Sequence, residues 1–320
     1  MGLPLVVITR GVPGRAEVPG AEVRIARDEP QMTRAELLSF VRGAAAIVTM
    51  FHDRVDDEFL DAAGPQLKAV CNFAVGVDNI DVAACRKRGV GVANTPDAVT
   101  EGTANLTWAL ILATARRLAE GDRFVRSGKW EREGNGFPKG WMGVHLTGQT
   151  LLVIGAGRIG RAVALRALGF GMRVLYTSRS RKLDMELAPI AATRVELDEG
   201  LRLADVVSVH TPLTPETRHI LDARRIALLK PTAIVINTSR GPTIDESALT
   251  AALTARKIWG AGLDVFEREP AVHADLLTLD NVVMTPHIGS AERKFREMMT
   301  QIACANAAAA VVGKPLPNPV

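Results

Sequence analysis

Short runs of β-branched and aliphatic residues alternate with longer mixed segments along the whole chain. In the first third the apolar runs are Leu5 to Thr9, Val23 to Ala26, Ala44 to Met50, Leu67 to Ala74 and Val90 to Ala93. Short runs of this kind read as buried strands. Between them lie stretches such as residues 33–41, T-R-A-E-L-L-S-F-V, with apolar residues at helical spacing behind a threonine suited to an N-cap. Strands separated by helices imply parallel pairing through right-handed crossovers. Residues 1–98 are therefore expected to form a small α/β domain of flavodoxin-like type.

The next stretch changes character. Asn94 to Asp97 reads as a turn, and residues 100–120 as one long amphipathic helix rich in Ala and Leu. Residues 121–149 are rich in Gly, Trp and charge, with Trp130, Trp141 and a G-F-P-K-G turn at 136–140, and without clear periodicity; they read as a long irregular connection. Alternation then resumes at Leu151 to Ile154, Met172 to Thr177, Asp205 to His210, Ala233 to Asn237, Trp259 to Val265 and Val282 to Thr285. At least six strands suffice for a doubly wound dinucleotide domain. Residues 291–312 are Ala-rich and helical, and Pro315, Pro317 and Pro319 end them.

The sharpest local signal is T-L-L-V-I-G-A-G-R-I-G, residues 150–160, which reads as strand, glycine turn and helix start. Gly155 permits the tight turn, Gly157 lets backbone approach a pyrophosphate, and Gly160 lets helix and strand pack closely. The helix-like segment beginning at Arg161, behind Arg158 and Ile159 of the turn, would face the anion with unpaired N–H groups. The turn lies in mid-chain, not near the N-terminus. The expected architecture is thus a Rossmann NAD(P)-binding domain, residues 99–290, inserted into a flavodoxin-like substrate domain, residues 1–98 plus 291–320. Crossings near 95–101 and 287–292 would permit closure around a ligand.

Composition narrows the function classes. With 47% hydrophobic and 23% charged residues and a net charge of +4 spread without a basic block, the 320-residue chain gives no footprint for nucleic acid. No apolar run reaches the ~18 residues of a membrane span, and the N-terminus lacks a basic leader, so a cytoplasmic location is expected. Cys71, Cys85 and Cys304 match no metal-ligand spacing and read as buried thiols in a reducing compartment; no metal is expected.

An NAD-binding unit carries an Asp or Glu about 20 residues beyond the glycine turn, on the ribose hydroxyl. Here Arg173-Val174-Leu175-Tyr176 runs into Thr177-Ser178-Arg179-Ser180-Arg181-Lys182, and no acid appears before Asp184. Arg179, the Ser178 and Ser180 hydroxyls and Arg181 as a further candidate could hold a 2′-phosphate, since guanidinium forks suit phosphate geometry. NADP(H) is the expected cofactor, with NAD(H) usable. The bland alternative is a solvated basic loop.

Three strand ends in the second half carry chemistry: Ser239-Arg240-Gly241, Phe266-Glu267-Arg268-Glu269-Pro270 and Pro286-His287-Ile288-Gly289-Ser290. Ligands bind at the carboxyl ends of open parallel sheets. Reduction of a 2-keto acid needs a hydride donor, a cation for the carboxylate and an acid for the developing alkoxide. Arg240 offers the clamp, His287 the acid/base, and Glu269, if in contact with His287, would favour the imidazolium. Singly, each could be a surface ion pair or an ordinary loop residue; together, at three strand ends, they form a complete set.

These motifs resemble the D-isomer-specific 2-hydroxyacid dehydrogenase family, in particular its glyoxylate/hydroxypyruvate reductase branch. The resemblance is carried by A-V-G-V-D-N-I-D at 74–81, T-A-N-L-T-W-A-L-I-L-A-T-A-R-R at 103–117, G-A-G-R-I-G, H-T-P-L-T-P-E-T at 210–217, N-T-S-R-G at 237–241, A-G-L-D-V-F-E-R-E-P at 261–270 and T-P-H-I-G-S-A at 285–291. It implies Arg240, Glu269 and His287 as catalytic residues, with backbone at Val75 and Gly76 meeting the substrate carboxylate and Ser290 near substrate or cofactor. It also implies Thr103, Pro212, Thr217, Thr238, Asp264 and Gly289 along the cofactor, and a homodimer with residues 121–149 and the long helix near its interface. Asn72-Phe73 stand where the phosphoglycerate-oxidising branch carries an Arg, which argues against a phosphorylated substrate. The basic run after Ser290 reads as a solvated helix face. The expected activity is NADPH-dependent reduction of glyoxylate or hydroxypyruvate; a 2-ketogluconate reductase and a dinucleotide-sensing corepressor are the alternatives.

Overall fold

The computed structural model of the chain describes residues 2–134 and 140–320. It divides into two compact units, Met1–Val99 together with Ser290–Val320, and Thr100–Gly289. Val99 and Ser290 thus group with the first unit, one residue beyond the expected boundary on each side. Val99 packs on that unit's core, and the Ser290 carbonyl accepts the Glu292 N–H just before the last helix.

The first unit holds five parallel strands, β1 (Leu5–Ile8), β2 (Glu22–Ile25), β3 (Ala46–Thr49), β4 (Ala69–Asn72) and β5 (Gly91–Ala93), in the order β2-β1-β3-β4-β5. This is the flavodoxin-like order. β3 and β4 are buried at every position, as strands covered on both faces must be, which is why they read as continuous apolar runs. One face carries the helix Arg34–Phe40, where Thr33 and Glu36 form a reciprocal capping box. The helix Arg293–Val311 covers the other, laying Met299, Ala303, Cys304, Ala307 and Ala310 on the sheet. All three cysteines are buried free thiols.

The second unit holds seven parallel strands, β6 (Thr150–Ile154), β7 (Arg173–Thr177), β8 (Thr193–Arg194), β9 (Val206–Val209), β10 (Ile234–Asn237), β11 (Gly260–Leu263) and β12 (Val282–Met284). Their order, β12-β11-β10-β9-β6-β7-β8, reverses direction between β6 and β9, so a crevice opens beyond the carboxyl ends of those two strands. β8 escaped the sequence pattern because it is two exposed residues long and has no apolar run.

Two expectations need correction. The predicted 100–120 helix ends at Ala115, and it is not amphipathic: ten of its residues, from Gly102 to Ala115, are buried around most of its circumference. It packs on β10, β11 and the helix Arg158–Ala167, and the Trp108 indole donates to the Val163 carbonyl at 3.0 Å. It stops because the returning chain takes its last carbonyl: Val144 N–H donates to Ala115 O at 3.0 Å, and Arg117 turns into the left-handed region with φ of 54°. The stretch read as irregular then forms two further helices, Leu118–Arg126 and Lys129–Glu133. Neither buries a residue; the first carries Leu118, Phe124 and Val125 on one side of its turn, a short stripe that sequence reasoning passed over, and exposed ion pairs such as Arg126–Asp122 on the other. Of the turn expected at 136–140, residues 136–139 lie outside the described residues. Among the described residues no helix is long and apolar enough to cross a membrane.

At the end of β9, burial pushes the His210 imidazole down to about 3, and its Nε2 lies 2.8 Å from the Ser208 hydroxyl. The folded chain therefore refuses a proton that the unfolded chain accepts below about pH 6.5. Its contribution is complete above that pH and is lost on acidification. In His210→Asn, urea-unfolding stability should fall between about pH 6 and pH 4 less steeply than in the wild type, by up to about 1.4 kcal/mol per pH unit; equal slopes would refute a neutral buried His210.

Candidate active site

The glycine turn sits where β6 ends. Gly155 has φ of +98°, and a Cβ there would lie 2.7 Å from the His210 carbonyl group, so only glycine fits both the conformation and the space. A Cβ on Gly160 would lie 2.2 Å from the Gly155 oxygen, which fixes the close packing of helix on strand. A Cβ on Gly157 would meet nothing within 4 Å. Gly157 is also the N-cap of the helix Arg158–Ala167 and supplies no side-chain acceptor to the first N–H groups, while Arg158 is exposed and Ile159 half-buried. An open cradle before uncapped N–H groups fits a pyrophosphate.

Beyond β7, Gly155 N–H donates to Thr177 O at 3.0 Å, which brings the basic loop beside the glycine turn. The Ser178 hydroxyl donates to the Ser180 carbonyl, and Arg194 from β8 holds the Ser178 carbonyl at 3.0 Å. Arg179 is exposed. Arg181, the further candidate, pairs with Glu186, which also accepts from the Tyr176 hydroxyl at 2.6 Å. Asp184, the first acid after the strand, is 3.2 Å from Arg161.

At the ends of β10, β11 and β12 the structure brings the predicted set together. The Glu269 carboxylate accepts from Phe266 N–H at 3.0 Å and lies 2.8 Å from Nδ1 of His287, both side chains about a quarter exposed. Burial would raise the Glu269 carboxyl; the His287 hydrogen bond and charge, the Phe266 N–H and the Arg240 charge outweigh it and hold the group below its ordinary value. Arg240 also donates to the Ser239 carbonyl at 2.8 Å. Gly241 brings the two loops into contact, for a Cβ there would lie 1.9 Å from the Phe266 carbonyl.

His287 itself has φ of 53°, a conformation rare outside glycine. Asp264 holds it there. Asp264 O accepts His287 N–H at 2.9 Å, one carboxylate oxygen accepts from Thr285 Oγ1 at 2.6 Å and Ile288 N–H at 2.8 Å, and the other accepts from Gly289 N–H at 2.8 Å. Burial pushes this carboxyl above its ordinary value, with those bonds and the His287 charge pulling the other way. The residue expected along the cofactor thus has both oxygens occupied by the histidine loop.

Residues 108–289 match the sequence model described as D-isomer specific 2-hydroxyacid dehydrogenase, NAD binding domain. The chain belongs to the D-isomer specific 2-hydroxyacid dehydrogenase family. It is an NAD(P)-dependent oxidoreductase with a nicotinamide dinucleotide cofactor. A glyoxylate reductase of Thermococcus onnurineus is 48% identical over 95% of this chain and 91% of its own length, and one of Pyrococcus furiosus is 46% identical over the same shares. A solved NADPH-dependent glyoxylate/hydroxypyruvate reductase from Sinorhizobium meliloti, in complex with NADP and malonate, has a TM-score of 0.86 at 32% identity, covering 100% of this dehydrogenase and 97% of that chain.

Of the remaining expected residues, Thr103 lies beside Gly289 and is joined through Thr107 to Thr238. Thr103 and Thr238 are buried; the Thr107 hydroxyl is 2.9 Å from that of Thr238 and donates to Thr103 O at 2.8 Å, and a Cβ on Gly289 would lie 3.3 Å from Thr103 Oγ1. Thr217 spends its hydroxyl inside its own turn, donating to Pro212 O at 2.6 Å and accepting from Thr214 N–H at 2.8 Å. In the first unit Val75 O accepts from Asn94 and Gly76 O from Asn72, and Ser290 is half-buried. Sequence reasoning missed Thr285, Glu246, His219 and Glu267, whose side chains bond within these loops. Thr285, Glu246 and Glu267 stand in or beside the three motifs, the one signal that could have singled them out; His219 carried none.

Gly241→Ala should lower kcat by about 10²-fold through displacement of the loops and cost about 1–3 kcal/mol of stability. Steady-state rates and a melting curve check both; wild-type values would mean that the loops separate freely.

Proposed function

We propose that this dehydrogenase reduces glyoxylate and hydroxypyruvate to D-2-hydroxy acids, prefers NADPH, and uses His287 as the proton donor. The observation that carries the reading is the 2.8 Å contact between Glu269 and His287 Nδ1 beside the charge of Arg240. With Nδ1 on Glu269, proton transfer to the substrate oxygen falls to Nε2. Glu269 on Nδ1 holds the ring in one orientation, so that Nε2 faces the reacting carbonyl. Arg240 binds the carboxylate of the 2-oxo acid and draws electron density from its carbonyl. Bound cofactor supplies a hydride from nicotinamide C4. Asp264 keeps the His287 loop in its unusual conformation. The glyoxylate reductases among its relatives support the substrate class, and the NADP complex of the Sinorhizobium enzyme supports the cofactor.

For the cofactor, Arg179 is the 2′-phosphate ligand in this reading, with Ser178 and Ser180 beside it; Arg181 is held by Glu186. Initial rates with NADPH and NADH over glyoxylate, hydroxypyruvate, pyruvate, 2-ketogluconate and 3-phosphohydroxypyruvate test the whole reading. Glyoxylate and hydroxypyruvate should lead with NADPH. His287→Ala should cost at least ~10² in kcat, and Arg179→Ala should raise the NADPH KM on the order of tenfold while sparing NADH. Equal efficiency with both cofactors would defeat the NADPH preference, and turnover led by 2-ketogluconate would reassign the substrate.

A homodimer belongs to the same reading. Leu112, Leu118, Val125, Trp130 and Met142 expose apolar side chains along the helical segment after Thr100, more than isolated surface residues require. Light scattering should give twice the 34.3 kDa chain mass; the mass of one chain would refute it.

A further inference from the structure

We propose that Glu246 is a positioning residue for the Glu269–His287 pair, which rests on the catalytic reading above. Glu246 opens the helix Glu246–Thr254, and an acid there would ordinarily be explained by the helix dipole. That explanation is insufficient here. The helix is already capped by Asp245, which accepts from Ala248 N–H at 2.9 Å, and the Glu246 carboxylate reaches away from its own helix. One oxygen accepts Glu267 N–H at 2.9 Å and the other accepts His273 N–H at 3.2 Å.

Those two N–H groups flank the segment that carries Glu269. Between them the chain folds back on itself, with Ala271 N–H donating to Arg268 O at 2.9 Å. A single carboxylate thus pins both arms of the turn that aims Glu269 at His287. The Glu267 side chain is fastened separately, to Nε2 of His219, whose N–H donates to Pro242 O at 2.8 Å. Glu246 and Arg240 also lie six residues apart on one stretch, joined by the short turn Gly241–Thr243. The Glu246 bonds therefore set the register between the stretch that carries the cation and the loop that carries the dyad. A loop residue that must sit within fractions of an ångström needs such outside support.

Glu246→Gln keeps size and one acceptor oxygen but replaces the other with an NH2 that cannot accept an N–H. In E246Q, kcat with NADPH and glyoxylate should fall about tenfold or more, with the dinucleotide Kd unchanged by fluorescence titration. The same substitution in an E269Q background should add no further loss, because a residue acting through Glu269 has nothing left to position. Wild-type kcat in E246Q beside an impaired E269Q overturns the proposal and leaves the dyad reading standing, as do losses that multiply in the double variant. Full kcat in E269Q itself overturns the dyad reading and the proposal with it. If E246Q does not fold, E246D carries the test: a loss confined to the Glu269 background supports the proposal, and equal losses in both backgrounds overturn it.

Discussion

Parallel pairing is the constraint on which the dinucleotide-binding unit depends. When every strand runs the same way, every strand ends on one edge, and loops far apart in sequence become neighbours there. The glycine turn after β6, the basic loop after β7, the His210 turn after β9 and the Arg240, Glu269 and His287 loops after β10, β11 and β12 share that edge because no strand in the sheet is reversed.

Within that edge, acidic side chains do most of the holding. Asp264 binds the histidine loop, Glu246 the loop after β11, and Glu186 the segment after β7. Each is an acceptor whose oxygens are occupied by groups from a neighbouring segment, so each satisfies backbone or side-chain donors that a loop would otherwise leave to water. Glu269 differs, since one of its oxygens goes to backbone and the other to a titratable ring. Glu269 alone of these acids therefore bridges backbone and a titratable ring.

Much of this was legible in the sequence because the decisive signals are local. Strands buried on both faces read as continuous apolar runs, and the glycine turn is defined by residues within one hexapeptide. Glu269 and His287 were legible as a pair through their motifs alone. What stayed hidden depends on contacts between distant segments. The end of the long helix at Ala115 is decided by Val144, and the partner of Arg181 by a glutamate that also serves Tyr176. Glu246 reads as a first-turn acid and gives no sign that its bonds lie 21 and 27 residues away. The helices after Arg117 bury nothing, and the stripe of Leu118, Phe124 and Val125 is short and broken by Gly121 among charged residues, so it was passed over.

The helix Thr100–Ala115 has a consequence for how the chain can change over evolutionary time. A half-exposed helix tolerates drift on its wet face, whereas this one packs against β10, β11, β12, the helix Arg158–Ala167 and its own returning chain, leaving a narrow stripe to water. Substitution along it is limited by volume on nearly every side. The composition of the stretch, mostly Ala, Thr and Leu with a single acid, matches such a limit. Descendants of this sequence have room to alter the basic loop after β7, the exposed helices after Arg117 and the narrow stripe of Glu101, Asn105, Ala109 and Leu112, while the buried positions of this helix allow only exchanges of nearly equal size.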